Sequence, residues 1–369
     1  MAGCWYHIVP HFTFDYGYQV WLYLCFVFWS ADRLARLARV AYYNRLGGSK
    51  ALVEAIPDSD IMQVTVFPRA TWGFGPGQHS FLYLGGLGKF WESHPFSVAA
   101  WNPVGPGQQP LPTAAAPISA PPSNSGDEKG VTLVHSQREV QEPPSIRFLI
   151  RAHSGMTSSL RRRLLASPSA SAAVKLSVYT EGPYAGHRAT LHPLLAADTI
   201  LCIAGGIGIT HILGFLHGFY ANAQRQGGGT EQQQQQKGRG MIAAKRLILA
   251  WSAREMSLIE HVKRNFLVDV EGAEYLFWCT GSAAHSATTL GSREGGDDSV
   301  PVPIGVGASV VQAGRMDIGS VLRASVEAGR QTTVLVCAPG GMTDEVTKHV
   351  VNCVKDGSRV DLVEETFAW

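Results

Sequence analysis

The sequence predicts three parts in order: an N-terminal transmembrane helix, an all-β antiparallel barrel, and an α/β domain built on a doubly wound parallel sheet. Three observations predict it. An uncharged, aromatic-rich run, Tyr16 to Ala31, ends in a cluster of arginines. β-rich segments with turn punctuation follow, before any strong helical pattern. From Thr199 onward apolar strands alternate with helical segments, the pattern of a parallel sheet covered on both faces.

The first run reads "YGYQVWLYLCFVFWSA", and Arg33, Arg36, Arg39 and Arg45 come after it. Arginines at the end of an apolar segment place that end in the cytoplasm. The expectation is a single-pass span within residues 1–46, with the catalytic domains cytoplasmic. The run is slightly short of the ~17–25 residues a span needs, and uncharged residues before Asp15 would have to extend it. A signal peptide does not fit, because the region before the run lacks positive charge and no small-residue cleavage site follows. The alternative is a buried helix of a soluble domain.

The barrel is expected over residues 50–190. "DIMQVTVFP" and "GQHSFLYL" alternate and flank the turn "TWGFGPGQ". In "FWESHPFSVAAW", Pro95 has no amide to donate, which suits an edge strand better than a central one. Residues 102–131 are rich in Pro, Ala, Ser and Gly and are expected to be a disordered insertion. Strands resume at "IRFLIRA" and "AVKLSVYT". "TEGPYAG", containing Gly182 and Pro183, is a turn toward the next domain.

The α/β domain is expected over 191–369, with low-complexity loops at 222–240 and 282–307. "CIAGGIGIT" puts Gly205, Gly206 and Gly208, then Thr210, where a strand ends and a helix begins. Glycines there let a backbone approach a pyrophosphate, although they serve equally well to start a helix. "AWSARE" ends the second parallel strand, and Ser252 and Arg254 there suit a 2′-phosphate, the mark of NADPH over NADH. "CAPGGM", with Cys337 and Pro339, is another glycine turn at a strand end.

Composition narrows the function. The 369 residues carry a net charge of +2, which gives no reason to expect nucleic acid as a partner. The six cysteines are scattered without a C-x-x-C pair, against a metal cluster or a disulfide framework and in favour of a reducing compartment.

Taken together and in order, H-P-F-S, E-G-P-Y, G-G-I-G-I-T, W-S-A-R-E, C-A-P-G-G-M and a terminal E-T-F-A-W resemble the FAD- and NADPH-binding half of the ferric reductase and NADPH oxidase family, most of all fungal ferric-chelate reductases. The resemblance implies a ferredoxin-reductase-like fold and the cofactors FAD and NADPH. It implies that His94 approaches the FAD phosphates, Phe96 lies against the isoalloxazine and Ser97 hydrogen-bonds near the hydride-accepting nitrogen, with Pro95 also among the cofactor-binding residues. In "RAHSGMTSSL", Gly155 and Thr157 would open a helix against the pyrophosphate, with Arg151 nearby. Gly182, Pro183, Gly205, Gly206, Gly208, Thr210, Ser252, Arg254, Cys337 and Pro339 would complete the cofactor sites. Ser97, Cys337 and Trp369 would act at the reacting centre, Trp369 by covering the flavin.

Two positions depart from the family pattern: Ala338 and Ala185 stand where glycine is usual. Family members also carry haem-binding helices ahead of this half. Here His7 resembles an orphaned haem ligand, so haem b is not expected on this chain alone. The expected function is an NADPH-dependent flavoprotein reductase, passing electrons to ferric chelate, haem or another one-electron acceptor. Dioxygen reduction and a truncated, inactive fragment are the alternatives.

Overall fold

The computed structural model describes residues 19–45, 47–70, 73–87, 92–102, 143–166, 173–186, 188–228, 244–281, 306 and 309–365. The insertion expected after Asn102, most of the two low-complexity loops, His7 and Trp369 lie outside the described residues.

Helix α1 spans Gln19–Asn44. It contains the apolar run, yet among the described residues no helix is long and apolar enough to cross a membrane. The reason is Asp32 and Arg33. The uncharged part of α1, Gln19 to Ala31, measures about 20 Å at 1.5 Å per residue, against a hydrocarbon core of about 30 Å. Val20, Trp21, Val27, Phe28 and Trp29 are all exposed. The start of the predicted run, residues 16–18, lies outside the described residues; the described part of α1 has an exposed apolar end and a docked basic end.

Seven strands form one antiparallel sheet in the order β4-β3-β7-β1-β2-β6-β5. They are β1 (Ser49–Ala55), β2 (Ile61–Phe67), β3 (Gln78–Leu84), β4 (His94–Ser97), β5 (Ala100–Asn102), β6 (Ser145–Arg151) and β7 (Ala173–Ala185). Its two edges, β4 and β5, are joined by only Val98 and Ala99. The Val98 amide donates to the Gln78 carbonyl and the Ala99 amide to the Arg147 carbonyl, both at 2.9 Å. Those two bonds tie opposite edges of the sheet together, so the sheet curls into a barrel. Alternation fills it: Val53, Val64, Phe148 and Val178 point inward, and α2 (Gly155–Leu165) plugs one end with Met156, Leu160 and Leu164.

The second sheet is parallel, in the order β11-β10-β9-β8-β12-β13. Its strands are β8 (Thr199–Gly205), β9 (Arg246–Ala253), β10 (Ala273–Cys279), β11 (Val311–Ala313), β12 (Thr332–Cys337) and β13 (Val360–Glu364). Every residue of β8 is buried, because helices cover both faces. Ile200, Cys202 and Ala204 face one helical layer, and Leu201 and Ile203 face the other. The helices are α3 (Arg188–Ala196), α4 (Ile209–Gly228), α5 (Met256–Asn265), α6 (Ile318–Ser325) and α7 (Gly340–Lys355). α4 continues to Gly228, so 222–228 is helical and not part of a loop. Gln224, Arg225 and Gln226 are good helix formers, and the glycine run after them is where helix propensity fails.

The two sheets share an apolar cluster. It runs from Phe215 and Leu216 of α4 to Ile56, Ala100 and Leu149 of the barrel. Polar bonds frame the seam: Arg147 donates to the Asn265 carbonyl at 3.0 Å, and the His261 ring meets Gln63 Oε1 at 2.9 Å.

Candidate functional site

Two corners of the molecule hold the residues singled out by the sequence. The first is on the barrel. Strand alternation puts His94 and Phe96 on one face of β4, their rings 6.5 Å apart, with Phe96 against the barrel core. Pro95 and Ser97 take the other face. Ser97 is the register partner of His79 on β3, which in turn pairs with Tyr184 on β7.

Next to His94, α2 begins at Gly155, whose φ of +61 only glycine adopts readily. Ser154 does not cap this helix with its side chain. Its first amides therefore take no cap from Ser154, and the positive end of the helix dipole lies behind them. Thr157 stitches the turn, accepting from the His153 amide at 3.1 Å and donating to the Ser154 carbonyl at 3.2 Å. Glu92, which the sequence reading missed, sits between these groups. Its Oε1 is 3.1 Å from His94 Nε2 and 3.7 Å from where a Cβ on Gly155 would lie. Arg151 faces two acids, Glu255 at 3.0 Å and Asp60 at 3.5 Å. Asp60 lies in no motif read from the sequence, whereas Glu255 is the last residue of W-S-A-R-E, a motif in which it carried no role.

The E-G-P-Y turn lies further along β7. Gly182 packs on Ser80, and the Gly182–Pro183 bond is cis. Ala185 holds a φ of +63, so the alanine that replaces the usual glycine stands in a conformation that disfavours a side chain.

The second corner is the topological switch point of the parallel sheet. Chain order runs outward on one side through β8, β9, β10 and β11, and on the other through β12 and β13. Ligands of such sheets bind beyond the strand ends where the direction changes. Three predicted segments meet there: Ala204 pairs with Cys337, and Gly205 with Ser252. A side chain on Gly208 would run into the Cys337 carbonyl oxygen, and one on Gly205 into the ring of Pro339. The Trp251 indole, unassigned from the sequence, donates to the Gly206 carbonyl at 2.9 Å and holds the turn from behind. Thr210 donates its hydroxyl to the Ile207 carbonyl. Burial, with Glu365 nearby, pushes the Cys337 thiol up to about 12, so it stays protonated at neutral pH. Arg254 is exposed at the end of β9, with no acidic partner among the described residues.

An antiparallel barrel with a helix N-terminus at one end, packed on a parallel sheet with a glycine turn at its switch point, is the two-part arrangement that the sequence predicted. Residues 45–104 match the FAD-binding domain family. Over 99% of its length the chain is 23% identical to Ferric reductase transmembrane component 3 of Saccharomyces cerevisiae, and over 100% it is 23% identical to component 5. It covers 44% of each of those relatives. The chain is thus similar in sequence to these ferric reductases, of whose length it spans less than half. Among solved structures, it aligns with a ferredoxin NADP+ reductase from Neisseria gonorrhoeae with bound FAD and NADP. That alignment has a TM-score of 0.44 and 10% identity, covering 86% of this chain and 97% of the other.

Proposed function

We propose that the chain is an NADPH-oxidising flavoprotein module of the ferric-chelate reductase kind. The observation that carries this reading is the convergence of Gly205, Ser252 and Cys337 at one switch point, in a domain packed directly on the barrel edge that carries His94–Ser97. The residues suit the cofactors. Gly205 and Gly208 let the turn after β8 close against Pro339 and Cys337, Gly206 and Gly155 keep open room beside them, and His94 with the first amides of α2 forms an anion-binding set. FAD, when bound, supplies the redox chemistry, taking a hydride and releasing electrons singly.

The protein's part is binding and alignment. His94 and the α2 amides hold phosphate oxygens. Ser97 offers a hydroxyl on the face opposite Phe96. Cys337 and Pro339 wall the nucleotide side with a neutral thiol and a ring. Arg254 and Ser252 receive the 2′-phosphate, which sets the preference for NADPH. Trp369 covers the flavin and yields to nicotinamide. Holding two reactive rings in contact is a proximity effect, and it needs rigid strand ends of this kind.

The acceptor proposed is a ferric chelate or another one-electron acceptor, in keeping with the names of the relatives. Association with a membrane through the apolar end of α1 is also part of the proposal, supported by its exposed tryptophans and phenylalanines.

The test is direct. The purified chain with added FAD should hold flavin and reduce a soluble dye with NADPH. Replacing His94 and Ser97 together by alanine should weaken flavin retention. A double variant that retains FAD as tightly as the parent would sink the flavin assignment.

A further inference from the structure

Helix α1 is fastened to the barrel through one carboxylate. Glu181, first residue of the E-G-P-Y turn, is fully buried in β7. It accepts a two-pronged bond from Arg36 of α1, Nε to Oε1 at 2.8 Å and Nη2 to Oε2 at 3.0 Å. Tyr83 donates its hydroxyl to Oε2 at 2.8 Å, and Tyr184 donates to Oε1. The same helix stacks on the same rings: Arg36 lies 5.6 Å over Phe81, and Arg39 lies 4.9 Å over Tyr184. At the end of α1, the buried Asn44 side chain donates to the Thr180 carbonyl at 2.8 Å and accepts from the Thr180 amide at 3.0 Å.

A buried carboxylate is costly unless it is paired and hydrogen-bonded, and a bidentate arginine fixes its partner in direction as well as distance. Burial pushes the Glu181 carboxyl up, but the bonds from Arg36, Tyr184 and Tyr83 outweigh it and leave the group below the usual carboxylate range. It is therefore ionised, and its geometry is over-determined by four donors.

These rings adjoin the candidate flavin edge. Tyr184, His79 and Ser97 share one row across β7, β3 and β4, and Glu181, Phe81 and Pro95 form the next. A shift of Glu181 displaces the strand that backs Pro95 and Ser97.

We propose that Glu181 is a positioning residue for the flavin-binding edge, and that its bond to Arg36 makes the placement of α1 and the surroundings of the flavin ring a single property. The inference rests on reading His94–Ser97 as the flavin edge. A change at the exposed end of α1, where another surface would meet it, then reaches the flavin without any contact to it.

The experiment uses the full chain with FAD and the variants Glu181→Gln, Arg36→Met, their combination, and Asn44→Ala. Readouts are far-ultraviolet circular dichroism for folding, FAD affinity, the visible circular dichroism of bound flavin, and its midpoint potential. Glu181→Gln and Arg36→Met should each weaken FAD binding about tenfold, in the range set by losing a charge-assisted bond. They should change the flavin spectrum in the same sense, and the combination should be no worse than the worse single variant, as for groups in one network. Asn44→Ala loosens the helix end but leaves the carboxylate intact, and should leave the flavin spectrum as in the parent.

A folded Glu181→Gln chain with the parent's flavin spectrum and potential overturns the proposal. So do additive effects in the combination, or an equal spectral change in Asn44→Ala. Should Glu181→Gln not fold, Tyr184→Phe removes one donor and keeps the ion pair. It should still shift the flavin spectrum, and no shift counts against the proposal. A parent chain that binds no FAD is a different failure, for it removes the functional reading itself.

Discussion

The two corners proposed for the cofactors differ in what they present to a phosphate. At the switch point of the parallel sheet the turn itself is uncharged, made of backbone, Gly205, Gly208, a protonated Cys337 and Pro339, with Arg254 and Glu365 at its margins. What matters there is space. At the barrel corner the same chain places Glu92 against His94 and the α2 N-terminus, and sets Arg151 between Glu255 and Asp60. What matters there is charge, already compensated by the protein's own acids. One site is limited by shape and the other by electrostatics, so they should fail under different changes.

The largest effect should come from filling the shape-limited corner. Gly208→Ala puts a methyl into the Cys337 carbonyl, where backbone must move on one side or the other. Overpacking of this kind costs about 1–3 kcal/mol, and more where main chain is the obstacle. NADPH-driven dye reduction should drop by at least a hundredfold while FAD stays bound. If flavin retention falls in step, the two corners are not separable.

Acid should reach the nucleotide domain early. His211, on α4 just after the glycine turn, is buried, and burial together with the charge of His79 lowers its pKa from 6.5 to about 4. The unfolded chain takes up that proton first. Stability held above about pH 6.5 is therefore lost as pH falls toward about 4, by an amount on the order of a few kcal/mol. Glu181 behaves differently. Its depressed pKa preserves the α1 contact until pH drops below the ordinary carboxylate range. The midpoint of thermal unfolding, followed from pH 7.5 to 4.5, should decline, and His211→Gln should flatten the decline. A parent curve that stays level over this interval would count against the buried, neutral histidine.

Arg254→Gln sharpens the contrast from the substrate side. The contact with a 2′-phosphate is charge-assisted and worth about 1.5–3 kcal/mol, so a roughly ten- to hundredfold preference for NADPH over NADH should largely vanish. Equal use of both nucleotides by the parent would show that Arg254 has no such role.

The smallest effect belongs to the charge-limited corner. Glu92→Gln removes an acid from beside the proposed phosphate site, and FAD should bind about two- to fivefold more tightly, within the range of partly exposed ion pairs. The gain should shrink as salt is raised. Weaker binding instead would mean that Glu92 supports the cradle.

The contrast also explains what could be read from the sequence. The shape-limited corner is written locally. Gly205, Gly206, Gly208 and Cys337 each fall where an apolar strand stops, and hydrophobic pattern with glycine punctuation marks those points. The strand order that brings them together is less local, although alternation of strands and helices already demanded a parallel sheet. The charge-limited corner is written across long distances. Glu255 meets Arg151 from 104 residues away, and Arg36 meets Glu181 from 145 away. No spacing rule connects such pairs. Trp251 looked like a strand residue and is one, but its indole bond to Gly206 depends on two strands lying side by side. The predicted span is not seen among the described residues, because Asp32 and Arg33 end the uncharged part of α1 after Ala31 and the start of the run lies outside the described residues.

The closure of the barrel has one more consequence. Asn102 and Ser145 are register partners on neighbouring strands, so the stretch between them leaves and re-enters the sheet about 4.8 Å apart. In topological terms it is a hairpin tip of arbitrary size. Closing a longer loop costs only logarithmically more, and neither sheet's register depends on its length. The fold is therefore indifferent to what is inserted there, which makes this the place where related chains can diverge in sequence, or accept a fused reporter, without disturbing either cofactor corner.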